Sequence, residues 1–266
     1  MKLIAINAWM GKLSPTLAKF VAKEKPDIIC MQEAFNSPID TPIPNHQIDV
    51  GPRVKQSAGL EYEFFSQLYT VDIAGLEVPF GNIIYSRYPI ISQINHILSG
   101  EPFRHLSNDN DTGLGQAQTR SLQIVQLDLG ESEKLVIANH HGYIARGTGE
   151  RFGDEHSEAK MRQVAAILHE FADLPLILAG DLNVVSESQT MRVFDNFLRD
   201  LTTEYQVKST LSPAHLFEEP TACDHVLVND KISVHDFAVR QNAIVSDHLP
   251  LVLGFDVRNA DRLDVK

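Results

Sequence analysis

The sequence predicts an α/β sandwich, two inner sheets with helices outside, in a single domain spanning residues 1–257 and followed by a charged tail at 258–266. Three observations carry this. A strand–helix–strand pattern fills residues 3–33, a second one fills 134–181, and no linker separates them. An apolar sheet face or helix stripe must be buried against another layer, so such units within one undivided chain pack as paired layers.

The elements follow in order. Leu3 to Ile6 is a short apolar strand ending at Asn7. Ser14-Pro15 opens a helix, with Ser14 as N-cap and Pro15 at the first helical position, and Leu17, Phe20 and Val21 give it an apolar face. Pro26-Asp27 stops it, and Ile28 to Met31 reads as a buried strand leading into Gln32-Glu33. Residues 36–60, rich in Pro, Gly and polar groups, read as irregular. Phe64-Phe65 and Val71 to Ile73 suggest strands, and Gly81 to Ser86 is another, closed by Arg87-Tyr88-Pro89. Residues 99–118 read as a long loop. Strands return at Gln118 to Leu129 and Lys134 to Asn139, and a polar stretch covers 142–156. Met161, Val164, Ala165, Leu168 and Phe171 have helical spacing, and Leu174-Pro175 breaks it before the buried strand Leu176 to Ala179. A helix is expected at 188–199, then two last strands at Val226 to Val228 and Leu249 to Phe255.

Composition narrows the function. The formal charge of −12 repels polyanions, and nonspecific nucleic-acid binders carry a basic patch or stripe, so strong general nucleic-acid binding is not expected. A small phosphorylated molecule, a lipid head group or a nucleic-acid end remains open as substrate. The sequence has no membrane span. The start, Met1 to Asn7, reads as a strand rather than a signal peptide, which leads to the expectation of a cytoplasmic protein. Cys30 and Cys223 sit in apolar contexts without metal-type spacing and are read as buried free thiols. Oligomeric state is left open.

A positional regularity carries the chemistry. Asn7, Glu33, His141, Asp181 and Asn183 each follow a predicted strand, and Asp224 and Asp247-His248 each precede one. Groups at strand ends converge on one edge of a sandwich, where rigid strands hold them. Phosphoester hydrolysis needs a hard cation on oxygen ligands, a base for the attacking water and a donor for the developing charge. Glu33 suits the cation, with Asp247 and the neutral oxygen of Asn7 in support. Asp181 suits the proton of water, and Asn183 the water or a phosphate oxygen. His248 and His141 suit the charge on phosphorus, and Asp224 suits orientation of the His248 imidazole. His140 and His141 are adjacent on a strand end, so only one ring faces the site. Taken singly, each group has a plainer reading: Asn7 as a turn or cap, Gly180 to Asn183 as an Asx turn, Ser246 to Pro250 as a loop entering a strand. Their joint occurrence outweighs these. His46, His96, His105, His156, His169, His215 and His235 lack ligand spacing, which disfavours zinc.

The segments Ile6 to Trp9, Ile29 to Glu33, Gly81 to Ile90, Ala138 to Gly142, Leu178 to Asn183, Cys223 to Val226 and Val245 to Pro250 together resemble the endonuclease/exonuclease/phosphatase superfamily, over nearly the whole chain. The resemblance implies a four-layer α/β sandwich, two packed mixed sheets flanked by helices, and Mg²⁺ or Mn²⁺ as cofactor. By position it implies Glu33 as metal ligand with Asn7 and Asp247 near the cation. Asp181 and Asn183 would position water and phosphate, and Asp224 and His248 would form the acid–imidazole pair. His141 matches the nuclease and sphingomyelinase branches, where abasic-site enzymes have tyrosine. Two departures stand out: Ala222-Cys223-Asp224 replaces an Arg-Ile-Asp order, and His225 stands where an aromatic residue is frequent. Arg120 matches a phosphate-binding arginine of some branches and equally a surface arginine on a strand. Trp9 reads as a substrate-stacking ring or, on base rates, a packed rim aromatic. Arg146, with Arg104, His105 and Arg151, lies in or beside the loops expected to set specificity. The reading is therefore a divalent-metal-dependent phosphoesterase. The alternatives are a nuclease acting on DNA or RNA ends and a non-catalytic phosphoester-binding protein of the same fold.

Overall fold

The computed structural model describes residues 1–38, 43, 47–107, 119–145, 151–215 and 219–258. Within them β1 (Lys2–Asn7), α1 (Ser14–Glu24) and β2 (Ile28–Phe35) form a parallel unit with Leu3 opposite Ile28. β8 (Glu133–His140), α3 (Glu155–His169) and β9 (Leu176–Asp181) form the second, with Val136 opposite Leu176. The echo read in the sequence is thus a repeated topology.

Around the first unit stand β3 (Tyr62–Ile73), β4 (Leu76–Ser86), β6 (Arg104–Leu106), β12 (Ile232–Val239) and β13 (Leu251–Val257). They make a seven-stranded sheet in the order β12-β13-β1-β2-β4-β3-β6. The second unit is joined by β5 (Ile90–Ser99), β7 (Arg120–Gly130), β10 (Arg199–Asp200) and β11 (Asp224–Val228) in a six-stranded sheet ordered β10-β11-β9-β8-β7-β5. Period-two alternation builds the layers. Leu3 and Ala5 of β1 face Ile137, Ile177 and Val226 of the other sheet, while Ile4 and Ile6 face Leu17 and Val21 of α1. On the far side Val136 and Leu178 pack on Met161, Val164 and Leu168 of α3. Three apolar seams therefore separate four layers.

The seam between the sheets turns polar toward one end. Gln32 donates to Asn139 Oδ1 at 2.6 Å, and the Asn139 amide donates to Gln123 Oε1 at 2.8 Å and to the carbonyls of Met31 and Ile83. Gln123 in turn donates to the carbonyls of Phe64 and Asn82. All three amide side chains are buried. A buried hydrogen-bond network of this kind rigidifies what it joins. Here it joins the two sheets beside Glu33 and His141.

Several expectations are corrected. The segment 36–60 contains α2 (Val50–Ala58), whose Val50 and Val54 enter the core against the first sheet. Its Pro52 lies in the first turn, where the missing N–H breaks no helical bond. The strands expected at 64–65 and 71–73 are one strand, β3, with an irregularity between Gln67 and Tyr69. β5 and β12 were not foreseen, because each is a sheet edge with mixed exposure and no clean alternation. The helix expected over 188–199 is a 3₁₀ turn at Gln189–Phe194, followed by β10. Ser14 is the first helical residue, and the cap position falls on Leu13. Asp224 is the first residue of β11 rather than the one before it. Most of the 99–118 loop and the tail beyond residue 258 lie outside the described residues. Among those described, no helix is long and apolar enough to cross a membrane, and Cys30 and Cys223 are buried and free.

Candidate active site

Topology explains why the polar strand ends meet. β1 and β2 run parallel, as do β8 and β9, so their carboxyl ends lie on one edge of their sheets. β11 runs antiparallel to β9 with Asp224 opposite Asp181, and β13 runs antiparallel to β1 with Leu251 opposite Ala5. Asp224, which opens β11, and the residues preceding β13 therefore arrive at that same edge.

At the end of β1 the Asn7 amide donates to Asp181 Oδ2 at 3.2 Å, and its Oδ1 accepts from the Trp9 backbone N–H at 3.0 Å. Glu33 sits at a bulge, where the β2–β4 register shifts between Met31 and Ala34, and holds a φ of +51°. This left-handed conformation is costly for a side-chain-bearing residue and marks a site the fold over-determines. Gly180, at φ +148°, lets β9 approach β8: a Cβ there would lie 2.1 Å from the His140 carbonyl oxygen. Asp181 follows, its Oδ1 accepting from the Asn183 N–H at 3.0 Å. Asn183, at φ +59°, donates from Nδ2 to the Gly142 carbonyl at 3.1 Å and accepts from Arg151 on Oδ1, so its amide is clamped on both sides.

Two histidines stand beside Asp181, one of them also beside Glu33. His141 Nε2 lies 3.6 Å from Asp181 Oδ2 and 3.7 Å from Glu33 Oε1, and His248 Nε2 lies 3.7 Å from Asp181 Oδ2. These spacings exceed hydrogen bonds and suit groups that meet a shared ligand. His140 turns the other way, its Nδ1 2.9 Å from the Ser121 carbonyl, as adjacent residues at a strand end require. Asp224 holds His248 by Nδ1, at 2.8 and 3.0 Å, and accepts from Thr210 Oγ1 at 2.5 Å. The loop carrying Asp247 is fixed by Ser246, whose hydroxyl donates to the Asn7 carbonyl at 2.6 Å, with Asp247 Oδ1 3.1 Å from the same oxygen.

The electrostatics divide the site. Burial alone would raise Asp181, but the charges of His248 and Arg151 and the hydrogen bond from Asn7 outweigh it and hold the carboxylate ionised. Burial likewise opposes a charge on His248, yet Asp224 and Asp181 push its pKa up to about 10. His141 is held well below the usual imidazole range by burial and by the nearby Arg120 guanidinium, so its approaches to the two carboxylates are not ion pairs. Glu33 keeps 28% of its side-chain surface exposed, and it is still held above the ordinary carboxylate range by lost hydration and by Asp247. Asp247 is raised mainly by burial.

The remaining candidates fall as follows. Arg120 opens β7 and is buried beside His141, Glu33 and Asp181, so it is not a surface arginine. Trp9 lies at the rim with the Lys12 ammonium 4.3 Å from its ring centroid, a cation–π contact that covers one face. Arg146 lies outside the described residues. Thr210 and His215, which the sequence does not assign to this site, belong here too, with Arg151, read there only as an arginine beside the specificity loops. Thr210 anchors Asp224, and Arg151 anchors Asn183. His215 packs edge-on against the His248 ring with centroids 5.6 Å apart. In the sequence His215 lacks the spacing of a ligand. A bridge between Leu211 and His248 brings its segment in, and no local sequence pattern announces such long-range pairing.

The model of the Endonuclease/Exonuclease/phosphatase family matches residues 4–248. The chain belongs to the endonuclease/exonuclease/phosphatase family. Solved structures agree on the fold. An endonuclease/exonuclease/phosphatase from Beutenbergia cavernae DSM 12333 superposes with a TM-score of 0.70 at 18% identity, over 98% of this chain and 72% of that one. A mannosyl-6-phosphatase from Bacteroides thetaiotaomicron VPI-5482 gives 0.63 at 17% identity, over 96% and 99%. The human Nocturnin catalytic domain with bound sulfate anion gives 0.65 at 17% identity, over 97% and 93%. No curated protein matches the chain. The family contains phosphatases and nucleases, and its members are hydrolases that typically use a divalent metal.

Proposed function

We propose that the protein hydrolyses a phosphodiester or phosphomonoester with the help of Mg²⁺ or Mn²⁺. The carrying observation is the convergence of an ionised Asp181, a protonated His248 backed by Asp224, and a neutral His141 within 3.7 Å contacts at one sheet edge. The donor set fits a hard divalent ion at Glu33, with Asp247 and the Asn7 oxygen close by. Two carboxylates raised above their ordinary range by burial and by neighbouring carboxylates are relieved by a cation, and oxygen donors are what Mg²⁺ or Mn²⁺ takes. The tighter group Asp181, Cys223, Asp224 and His248, with ligand atoms within 4.8 Å of one another, is already organised around the Asp224–His248 pair.

When bound, the ion neutralises charge on the phosphoryl oxygens and on the departing alkoxide. The side chains do the rest. Asp181 takes the proton of the attacking water, its Oδ1 fixed by the Asn183 N–H so that Oδ2 faces the site. His248, charged and oriented by Asp224, donates toward the oxygens on phosphorus as negative charge builds there. His141 adds a neutral donor on the Glu33 side, and the clamped Asn183 amide orients water or phosphate.

The test is a panel of phosphoesters, including bis-p-nitrophenyl phosphate and p-nitrophenyl phosphate, assayed with Mg²⁺, Mn²⁺ or EDTA. Turnover that requires the metal is expected. Folded protein that turns over none of them with either ion refutes the reading and leaves the non-catalytic binder.

A further inference from the structure

The second departure in the sequence, His225, has a place in the fold. It follows Asp224 on β11, and strand alternation sends Asp224 to the active site and His225 to the opposite face. The ring is fully buried. Its Nε2 is 2.7 Å from the Val184 carbonyl oxygen, and its Nδ1 is 3.1 Å from Asp200 Oδ2. A backbone carbonyl has no proton to give. Asp200 also accepts from Ser186 Oγ at 3.2 Å, Thr202 N at 2.9 Å and Thr203 Oγ1 at 2.6 Å, the pattern of an ionised carboxylate. An imidazole facing an acceptor at each nitrogen satisfies both only when both carry hydrogen.

Val184 directly follows Asp181-Leu182-Asn183. That turn is braced from β11 on both sides of Asp224. The Leu182 N–H donates to the Cys223 carbonyl at 2.9 Å, and the Val184 carbonyl accepts from the His225 ring. The turn includes Asn183 at φ +59°, a conformation it would leave readily if released.

We infer that His225 is a positioning residue, a buried imidazolium paired with Asp200 that holds the Asp181–Val184 turn in register with Asp224. Burial opposes the charge on the ring, and Asp200 outweighs it, so the pKa of His225 lies above the usual range while that of Asp200 lies below its own. A phenylalanine at this position would fill the space and leave the Val184 carbonyl and the Asp200 carboxylate without this donor. The catalytic part of the inference rests on the proposed hydrolysis, whereas the charge on the ring does not.

The decisive measurement is the ¹⁵N spectrum of the histidine rings in the wild-type protein at about pH 8.5, roughly two units above the ordinary imidazole pKa. Both nitrogens of His225 should be protonated, and a neutral ring with one bare nitrogen overturns the inference. In Asp200→Asn the ring should become neutral and the backbone amide signals of Asn183 and Val185 should move, whether or not any ester is turned over. Unmoved signals also overturn it. With Mn²⁺ and bis-p-nitrophenyl phosphate, Asp200→Asn and His225→Phe should lose about 10- to 100-fold in kcat, as small displacements of catalytic groups do, with KM changed less than about threefold. Asp200→Glu should recover part of the loss. A folded His225→Phe or Asp200→Asn protein with wild-type kcat, whatever its melting temperature, means that the pair serves stability alone and refutes the positioning role.

Discussion

The two strand–helix–strand units share a topology and carry opposite electrostatics. The β1-α1-β2 unit delivers Asn7 and Glu33, and the Glu33 carboxyl is partly exposed, strained in φ and raised in pKa. The β8-α3-β9 unit delivers His141, Asp181 and Asn183, and the Asp181 carboxyl is buried, hydrogen-bonded and lowered in pKa. One architecture used twice thus supplies two carboxylates with different tasks. Environments that push two acids apart assign their roles. Under the proposed function the raised, crowded one would hold the cation, and the lowered, braced one, kept ionised, would be the proton acceptor.

The largest expected effect separates these tasks directly. Asp181→Asn should lower kcat by on the order of 10²–10⁴, because it removes the proton acceptor, and no amount of Mn²⁺ should restore it. Glu33→Gln should lose activity at low metal and regain much of it as Mn²⁺ is raised, because a weakened ligand is compensated by mass action. Metal titrations of both variants read the difference. Equal rescue of the two would erase the distinction between the units.

How much of this was legible in the sequence follows from the range of the interactions. The four layers and the strand-end positions of Asn7, His141 and Asp181 were readable because short apolar runs and their boundaries are local, whereas Glu33, expected after its strand, lies inside β2 at the bulge that interrupts its pairing. That His140 and His141 turn opposite ways followed from alternation, and that His141 is the one at the site from the resemblance. What was missed depends on contacts far apart in the chain. Thr210 reaches Asp224 across 14 residues, Arg151 reaches Asn183 across 32, and His215 arrives through the pairing of Leu211 with His248. Arg120 looked equally like a surface arginine because nothing in Gln118 to Ser121 shows that β7 is covered on both faces at that point. β5 and β12 were missed because an edge strand has no need of the alternation that reveals a buried one.

An intermediate effect tests how the units are held together. Asn139 lies between them, accepting from Gln32 of β2 while donating to Gln123 of β7. Asn139→Leu should destabilise the protein by about 2–3 kcal/mol, since Gln32 and Gln123 are each left buried without this partner. It should also lower kcat by about tenfold through loosened placement of Glu33 and His141. Ile137→Ala, at the apolar part of the same seam, should destabilise by a similar ~2–5 kcal/mol and leave kcat of the folded protein nearly unchanged. Urea melts and steady-state kinetics on the pair decide it. A matching fall in kcat for Ile137→Ala would mean that general loosening, not the amide chain, governs the site.

The smallest effect bears on the raised carboxylates. For an acid whose folded pKa lies above its unfolded value, folding takes up protons. Its cost is absent below about pH 4 and grows as pH rises through the unfolded and then the folded pKa. Glu33 and Asp247 are in that position in the metal-free chain, with burial first and neighbouring carboxylates second as the causes. Glu33→Gln should therefore be more stable than the parent in EDTA at neutral pH, by about 2 °C in melting temperature for a chain of this size. The advantage should vanish near pH 4, where the parent carboxyl is itself protonated. Adding Mg²⁺ should reverse the order, because the parent gains binding energy from the ion and the variant gains little. Thermal melts across pH, with EDTA and with Mg²⁺, read all three signs. A variant less stable than the parent in EDTA at neutral pH would show that Glu33 is satisfied without a cation. The contrast between the two units would then rest on Asp181 alone.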